Sequence, residues 1–212
     1  MDDEKRVQKV IQILDSTYPD APKTYLRWDN PYQLTIATIL SAHTADACVN
    51  KITPKLFERY PTPKDLMNAS KNDVIELIRP CGTYNRKSEY IISSAKTIVE
   101  EFNGEIPRNM TDLVKLKGVS RKTANVVLSV AFDIQEGIVV DTHVKRVSQR
   151  LGFTQEKYPK KIEQDLMDLI AKNQWYEYAR LMGAHGRQTC HARSPDCKNC
   201  TVNHLCPSAK IQ

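Results

Sequence analysis

The 212-residue chain has no long uncharged apolar run, so no segment reads as a membrane span, and its opening MDDEKRVQKV lacks the apolar stretch of a secretory signal. Both absences point to the cytosol or nucleoid, a reducing setting. No strand-like alternation persists along the chain, which argues against a sheet and for an all-α fold. No repeat period or low-complexity tract stands out either, which argues against a solenoid. A large charge excess is missing as well. With 31 Lys and Arg against 25 Asp and Glu, the net charge of +6 is too mild to establish a polyanionic partner by itself.

Local distribution says more than the total. Residues 115 to 122 carry Lys115, Lys117, Arg121 and Lys122 with no acid, and residues 142 to 161 hold six Lys or Arg against Glu156 alone. Such surfaces suit phosphate contacts, although an ordinary solvated helix face has the same composition.

Four of the six cysteines fall in one C-terminal stretch, Cys190, Cys197, Cys200 and Cys206, spaced C-x6-C-x2-C-x5-C. Gaps this short let one small loop wrap four thiolates around a single inorganic centre, and they differ from the paired C-x2-C pattern common in structural zinc sites. Four thiolates with His191 and His204 off the ligand spacing suit a 4Fe–4S cluster; a zinc knob or two disulfides are the other readings the spacing allows. Cys48 and Cys81 lie outside this stretch and read as buried thiols rather than a redox pair.

Apolar spacing predicts helix after helix, starting with Val7, Val10, Ile11 and Leu14 and continuing over about 31–42, 45–59, 63–69, 72–79, 86–102, 110–116, 121–132, 140–151, 159–172 and 174–187. Turn signals separate them at Pro61 and Pro63, Pro80 to Gly82, Asn103-Gly104 with Pro107, and Gly137. A linker-like break falls near 133–138, and a chain of this length can form one domain or two small lobes.

Between two of these helices lies LKGVSRKTANVVLSVAF, residues 116 to 132. Gly118 permits a sharp reversal, and the helix that follows points unpaired backbone N–H groups outward, a seat for a phosphate beside Lys117 and Arg121. Lys122 falls in the first turn of that helix, where the positive end of the dipole and neighbouring Arg121 both favour the neutral amine, making it a candidate nucleophile. Nineteen residues on, VVDTHVKRV places Asp141 at another helix start, as a plain cap or as a catalytic carboxylate.

Taken together, the hairpin, the VDTH segment and the HGRQTC to LCP cysteine loop resemble the endonuclease III family of helix-hairpin-helix DNA glycosylases. The likeness extends through ILSAHTAD at 39–46, TYNRKSEYI at 83–91 and FNGEIP at 102–107, nearly the whole chain. It implies two helical lobes with DNA in the cleft between them: a six-helix lobe over 22–133, and a second lobe formed by 1–21 with 134–212 that carries a 4Fe–4S cluster on Cys190, Cys197, Cys200 and Cys206. It further implies a monomeric base-excision enzyme acting on duplex DNA that contains damaged pyrimidines or abasic sites. Lys122 would attack C1′ of the extruded nucleotide, Asp141 would stabilise the sugar cation or move protons, and β-elimination from the Schiff base would cut 3′ of the abasic sugar. DNA contacts are expected from the hairpin residues Lys117, Gly118, Val119, Ser120 and Arg121, from His143 and Arg146, and from Arg193 in the cysteine loop. His43 stands where relatives commonly carry glutamine, and by stacking it would fill the gap left by the extruded nucleotide.

The chain departs from the family's L-P-G-V-G-R-K hairpin by carrying Lys117 and Ser120. A phosphate-affinity change of about 1 kcal/mol, on the order of one hydrogen bond, is expected there. An adenine-mismatch glycosylase of the same superfamily would need an acid in the helix around 34–44, and none is present. A thymine or uracil mismatch glycosylase, and a non-catalytic DNA-binding or redox protein on the same scaffold, are the remaining alternatives.

Overall fold

The computed structural model describes residues 1–210, which form eleven α-helices and two short 3₁₀ turns, with no strand among the described residues. In chain order the helices are α1 (Asp3–Thr17), α2 (Pro31–Leu40), α3 (Asp46–Arg59), α4 (Pro63–Met67), α5 (Lys71–Ile78), α6 (Tyr84–Phe102), α7 (Met110–Leu113), α8 (Arg121–Ala131), α9 (Thr142–Arg150), α10 (Pro159–Leu169) and α11 (Trp175–Gln188). The all-α expectation holds. Several helices end earlier than their apolar spacing predicts, α7 most clearly. There the pattern runs on to Leu116, but the chain tightens into i to i+3 bonds, Lys115 N to Asp112 O and Leu116 N to Leu113 O at 3.1 Å each. No helix of the described residues is long and apolar enough to cross a membrane.

The chain divides into two units, Thr24–Glu136 and Met1–Lys23 with Gly137–Gln212. The unit Thr24–Glu136 starts two residues after the expected 22, in the helix-free stretch between α1 and α2, and ends three residues after the expected 133, in the stretch that follows α8.

In the Thr24–Glu136 unit, α2 is buried nearly all round, from Tyr32 to Leu40 except Gln33. A helix so surrounded must satisfy its own polar groups: the hydroxyls of Thr35 and Thr38 donate to the carbonyls of Pro31 and Leu34, at 2.8 and 2.7 Å. Asn30 caps its start by accepting from Gln33 N, and Pro31 follows at the first helical position, where its missing N–H costs nothing. Helices α3, α6 and α8 pack against α2, and α8 brings Ala124, Val127 and Leu128 into the same core. Helix α6 stops at Asn103, which is left-handed (φ 54), and Gly104 N returns to Ile98 O at 2.8 Å.

The second unit joins the two ends of the chain. Val7, Val10, Ile11 and Leu14 of α1 share a core with Val144, Val147, Leu166, Leu181 and Met182. Polar ties reinforce that seam. Arg6 lies 4.5 Å over the Phe153 ring and donates to the Leu205 carbonyl at 3.2 Å, while Arg180 pairs with Asp15 at 2.9 Å and donates to the Ala21 carbonyl at 2.8 Å. Tyr178 is fully buried, and its hydroxyl lies 2.7 Å from that of Ser148 on α9. Helix α9 is thereby held from both sides, which matters because it begins at Asp141.

Candidate active site and metal centre

The hairpin turn lies between α7 and α8 of the Thr24–Glu136 unit. Leu116 and Val119 are buried anchors, and Val119 N closes the turn onto Leu116 O at 3.0 Å. Gly118 is left-handed (φ +84), and a Cβ there would fall 2.7 Å from Cδ2 of Tyr90, so α6 packs against the turn where only glycine fits. Helix α6 also grips the turn through Ser94, whose hydroxyl donates to Lys117 O at 2.7 Å. Ser120 has an ordinary extended backbone and caps α8, accepting from Thr123 N at 3.3 Å. The family's second glycine is therefore not required by backbone conformation here. Arg121 directs one guanidinium nitrogen to Glu136 O at 3.0 Å. Lys122 follows in the first turn, exposed, as are Lys117, Gly118 and Ser120.

His43 lies in the same unit, in the turn between α2 and α3, exposed and left-handed (φ 54). A non-glycine residue in this region is strained by about 1 kcal/mol or more, and such outliers persist where the surroundings over-determine them. The next residue is tied down: Thr44 accepts from Nζ of the buried Lys87 at 2.6 Å.

In the second unit Asp141 is the N-cap of α9. Its Oδ1 accepts from His143 N at 2.8 Å and Val144 N at 2.7 Å, while Oδ2 lies 4.0 Å from an Arg187 nitrogen. One carboxylate oxygen is committed to the helix and the other faces a cation. His143 is half-buried against α11, because Gly186 lets the two helices meet: a Cβ on Gly186 would sit 2.9 Å from that of His143. Burial, then the nearby Arg187 cation, hold the His143 imidazole below its ordinary value, so it is neutral at pH 7. Arg146, expected among the DNA contacts, donates to Gly186 O at 2.8 Å and Cys190 O at 3.2 Å.

Arg150, one turn further along α9, holds the cysteine loop. It donates to His191 O at 2.7 Å, to Ala192 O at 2.8 Å and to Cys190 Sγ at 3.2 Å. All four loop cysteines are unpaired thiols that line one cavity of about 410 Å³, with Arg150 and His185 beside them. No group of three His, Cys, Asp or Glu among the described residues is placed to hold a single metal ion. His191 and His204 are exposed, off the cavity, whereas His185, which spacing did not single out, has Nε2 3.7 Å from Cys200 Sγ and Nδ1 2.9 Å from the Tyr18 hydroxyl. Burial pushes the His185 pKa down to about 4 and pushes the Cys200 and Cys206 thiols up. Burial makes Cys200 and Cys206 resist ionising alone, and a cationic inorganic centre reverses that cost, so a donor set of four thiols lining one cavity fits one. Arg193 lies exposed at the rim.

Sequence reading missed Arg150, Arg187, His185 and Tyr18. The four-residue step from Arg146 to Arg150 on one helix face was a readable signal; nothing marked Tyr18, 167 residues from its partner.

Four likenesses bear on the chain. Residues 36–172 match the family profile described as HhH-GPD superfamily base excision DNA repair protein. The chain is 47% identical over 206 residues to endonuclease III of Synechocystis sp., covering 97% of this chain and 94% of that one, and 38% identical to endonuclease III of Bacillus subtilis, covering 95% and 92%. Its fold is similar to that of a trapped endonuclease III–DNA covalent intermediate, with TM-score 0.92 and 40% identity over 99% of this chain and 98% of that chain.

The hairpin makes a stability prediction. Gly118→Ala imposes both a left-handed alanine and the Tyr90 clash and should lower unfolding free energy by about 2–4 kcal/mol, whereas Ser120→Ala removes one cap and should cost about 1 kcal/mol. Urea denaturation followed by circular dichroism measures both; equal losses would contradict the packing described.

Proposed function

Because this chain belongs to the endonuclease III family, within the HhH-GPD superfamily of base-excision DNA repair proteins, we propose that Lys122 is its Schiff-base nucleophile and Asp141 its catalytic carboxylate. The protein is a base-excision DNA glycosylase with AP lyase activity. The observation that carries the residue assignment is an exposed lysine in the first turn of α8, directly behind a hairpin that turns backbone N–H groups outward.

The chemistry follows from those side chains. A phosphate of duplex DNA seats on the free N–H groups at the start of α8, with Lys117 and Arg121 adding charge. A damaged, non-planar pyrimidine stacks poorly, so its extrusion costs less than that of a normal base, and oxidised pyrimidines are the preferred substrates. The amine of Lys122 bonds to C1′ as the C1′–N bond breaks; the departing base takes a proton and leaves. Oδ2 of Asp141, the oxygen not engaged by the α9 backbone, stabilises positive charge developing on the sugar. The C1′–O4′ bond of the resulting aminal then breaks, with O4′ taking a proton, and the iminium so formed acidifies C2′–H; loss of that proton expels the 3′ phosphate, and water then releases the lysine. His43, held in its left-handed turn, stacks in the gap left by the extruded nucleotide. The substrate is engaged by one copy of the chain.

The four thiolates of Cys190, Cys197, Cys200 and Cys206 would hold a 4Fe–4S cluster, a reading supported by the single cavity that all four line. When bound, the cluster supplies a rigid crosslink for the loop. Arg146 and Arg150 tie that loop to the helix that begins at Asp141, and Arg193 at the rim contacts the DNA backbone.

Three experiments test these assignments. Borohydride should trap wild-type protein on thymine glycol and abasic duplexes, and Lys122→Gln should give no adduct and at least a hundredfold less nicking; adduct from the variant would exclude Lys122. In the same assay Asp141→Asn, which keeps an equally good cap, should retain stability within about 0.5 kcal/mol yet lose base removal, whereas Asp141→Ala should also lose about 1 kcal/mol. His43→Gly relieves a left-handed histidine, so it should unfold no more easily than wild type while binding abasic DNA several-fold more weakly; unchanged affinity would remove His43 from the DNA interface. Cys200→Ala should lose iron and its visible absorption and bind duplex DNA more weakly, and full iron retention would refute the ligand assignment.

A further inference from the structure

We propose that Cys48 and Cys81 form an oxidation site, which a hydroperoxide converts to an intrachain disulfide beside the buried ammonium of Lys87. This inference is independent of the DNA chemistry above. From sequence the two cysteines, 33 positions apart, read as unrelated buried thiols. The fold places them together. Cys48 lies in the first turn of α3, partly exposed, with Sγ 3.4 Å from the carbonyl oxygen of Pro80, the residue that precedes Cys81 in the turn between α5 and α6. Cys81 is fully buried, and Lys87 reaches in from α6 with 3% of its surface exposed.

The three groups differ in a way that sorts their roles. Cys48 is the one solvent reaches, so it meets the oxidant; Cys81, shielded, can react with little except its neighbour. Burial, and next the Cys48 sulfur, push the Cys81 thiol up to about 11, while the Lys87 cation pulls the other way. The same burial lowers the Lys87 pKa, and the two sulfurs oppose that shift. A cation beside two thiols favours whichever sulfur is ionised during exchange.

Two steps balance the chemistry. The Cys48 sulfur attacks the terminal peroxide oxygen, giving a sulfenic acid and releasing the alcohol, or water when the oxidant is hydrogen peroxide. The Cys81 sulfur then displaces hydroxide from the Cys48 sulfur, forming the S–S bond, and that hydroxide leaves as water with the Cys81 proton. The peroxide is reduced by the two electrons that the thiols lose. Because Cys48 Sγ already sits 3.4 Å from the peptide carbonyl that leads into Cys81, closure requires little backbone movement. The crosslink would tie the start of α3 to the segment leading into α6, on either side of the Thr44–Lys87 bond that steadies the His43 turn.

Peptide mapping of the cluster-containing protein tests this. After exposure to hydrogen peroxide, blocking with N-ethylmaleimide and digestion, a peptide pair joined through Cys48 and Cys81 should appear and be lost on addition of dithiothreitol. Cys81→Ser should instead accumulate Cys48 sulfenic acid, captured by dimedone. Recovery of both residues from wild type as maleimide adducts, or of Cys48 as sulfinic acid with Cys81 still reduced, would overturn the proposal, as would crosslinks joining Cys48 to a loop cysteine. The wild-type measurement is decisive even if the variant fails to fold.

Discussion

A helix cannot satisfy its first backbone N–H groups internally, and both ends of the proposed chemistry exploit that deficit. At α8 the unsatisfied groups sit behind an exposed hairpin and are available to a phosphate, with Lys122 in the same turn. At α9 they are consumed by Asp141, whose Oδ1 takes two of them and so fixes where Oδ2 lies. One backbone property thus provides an anion seat in one unit and a positioned carboxylate in the other. Much of each unit's packing serves to hold those helix starts in place.

The two helices are anchored by different means. Helix α8 is held by apolar burial against α2 and by the contact of Tyr90 with Gly118, a steric fit that tolerates no side chain at the turn. Helix α9 adds polar contacts to the apolar burial of Val144 and Val147. Tyr178 meets it through Ser148, Gly186 admits it to close range, and Arg146 and Arg150 spend their guanidinium groups on the carbonyls of the cysteine loop. An arginine engaged by several carbonyls is a strong fixed link, each charge-assisted bond contributing about 1.5–3 kcal/mol. Loop and carboxylate therefore share one rigid element, which gives an inorganic centre in that loop a structural reason to matter.

Much of this was legible without coordinates. Helix positions followed from apolar spacing because a buried helix face repeats every three to four residues whatever it packs against, and the ends that differed did so where the chain tightened into 3₁₀ bonds, as at Leu116. Lys122, Asp141 and the four loop cysteines stood out as candidates because each belongs to a local pattern: a glycine turn, a cap position, a short cysteine spacing. Arg146 was harder. Its charge suggested a phosphate, and nothing local revealed that Gly186 and Cys190 would offer it carbonyls.

What the amino-acid order determined by itself is therefore everything set by neighbours within a few turns of chain: the all-α class, the hairpin, the two helix starts and the cysteine set. Contacts between residues remote in sequence were decided by tertiary packing alone. Tyr18 on His185, Tyr90 over Gly118, Arg150 on the loop and Cys48 against Cys81 all depend on which helix faces meet. The physical reason is that periodicity records which face of a helix is buried but carries no information about its partner, so the identity of the groups that meet there emerges when the cores close.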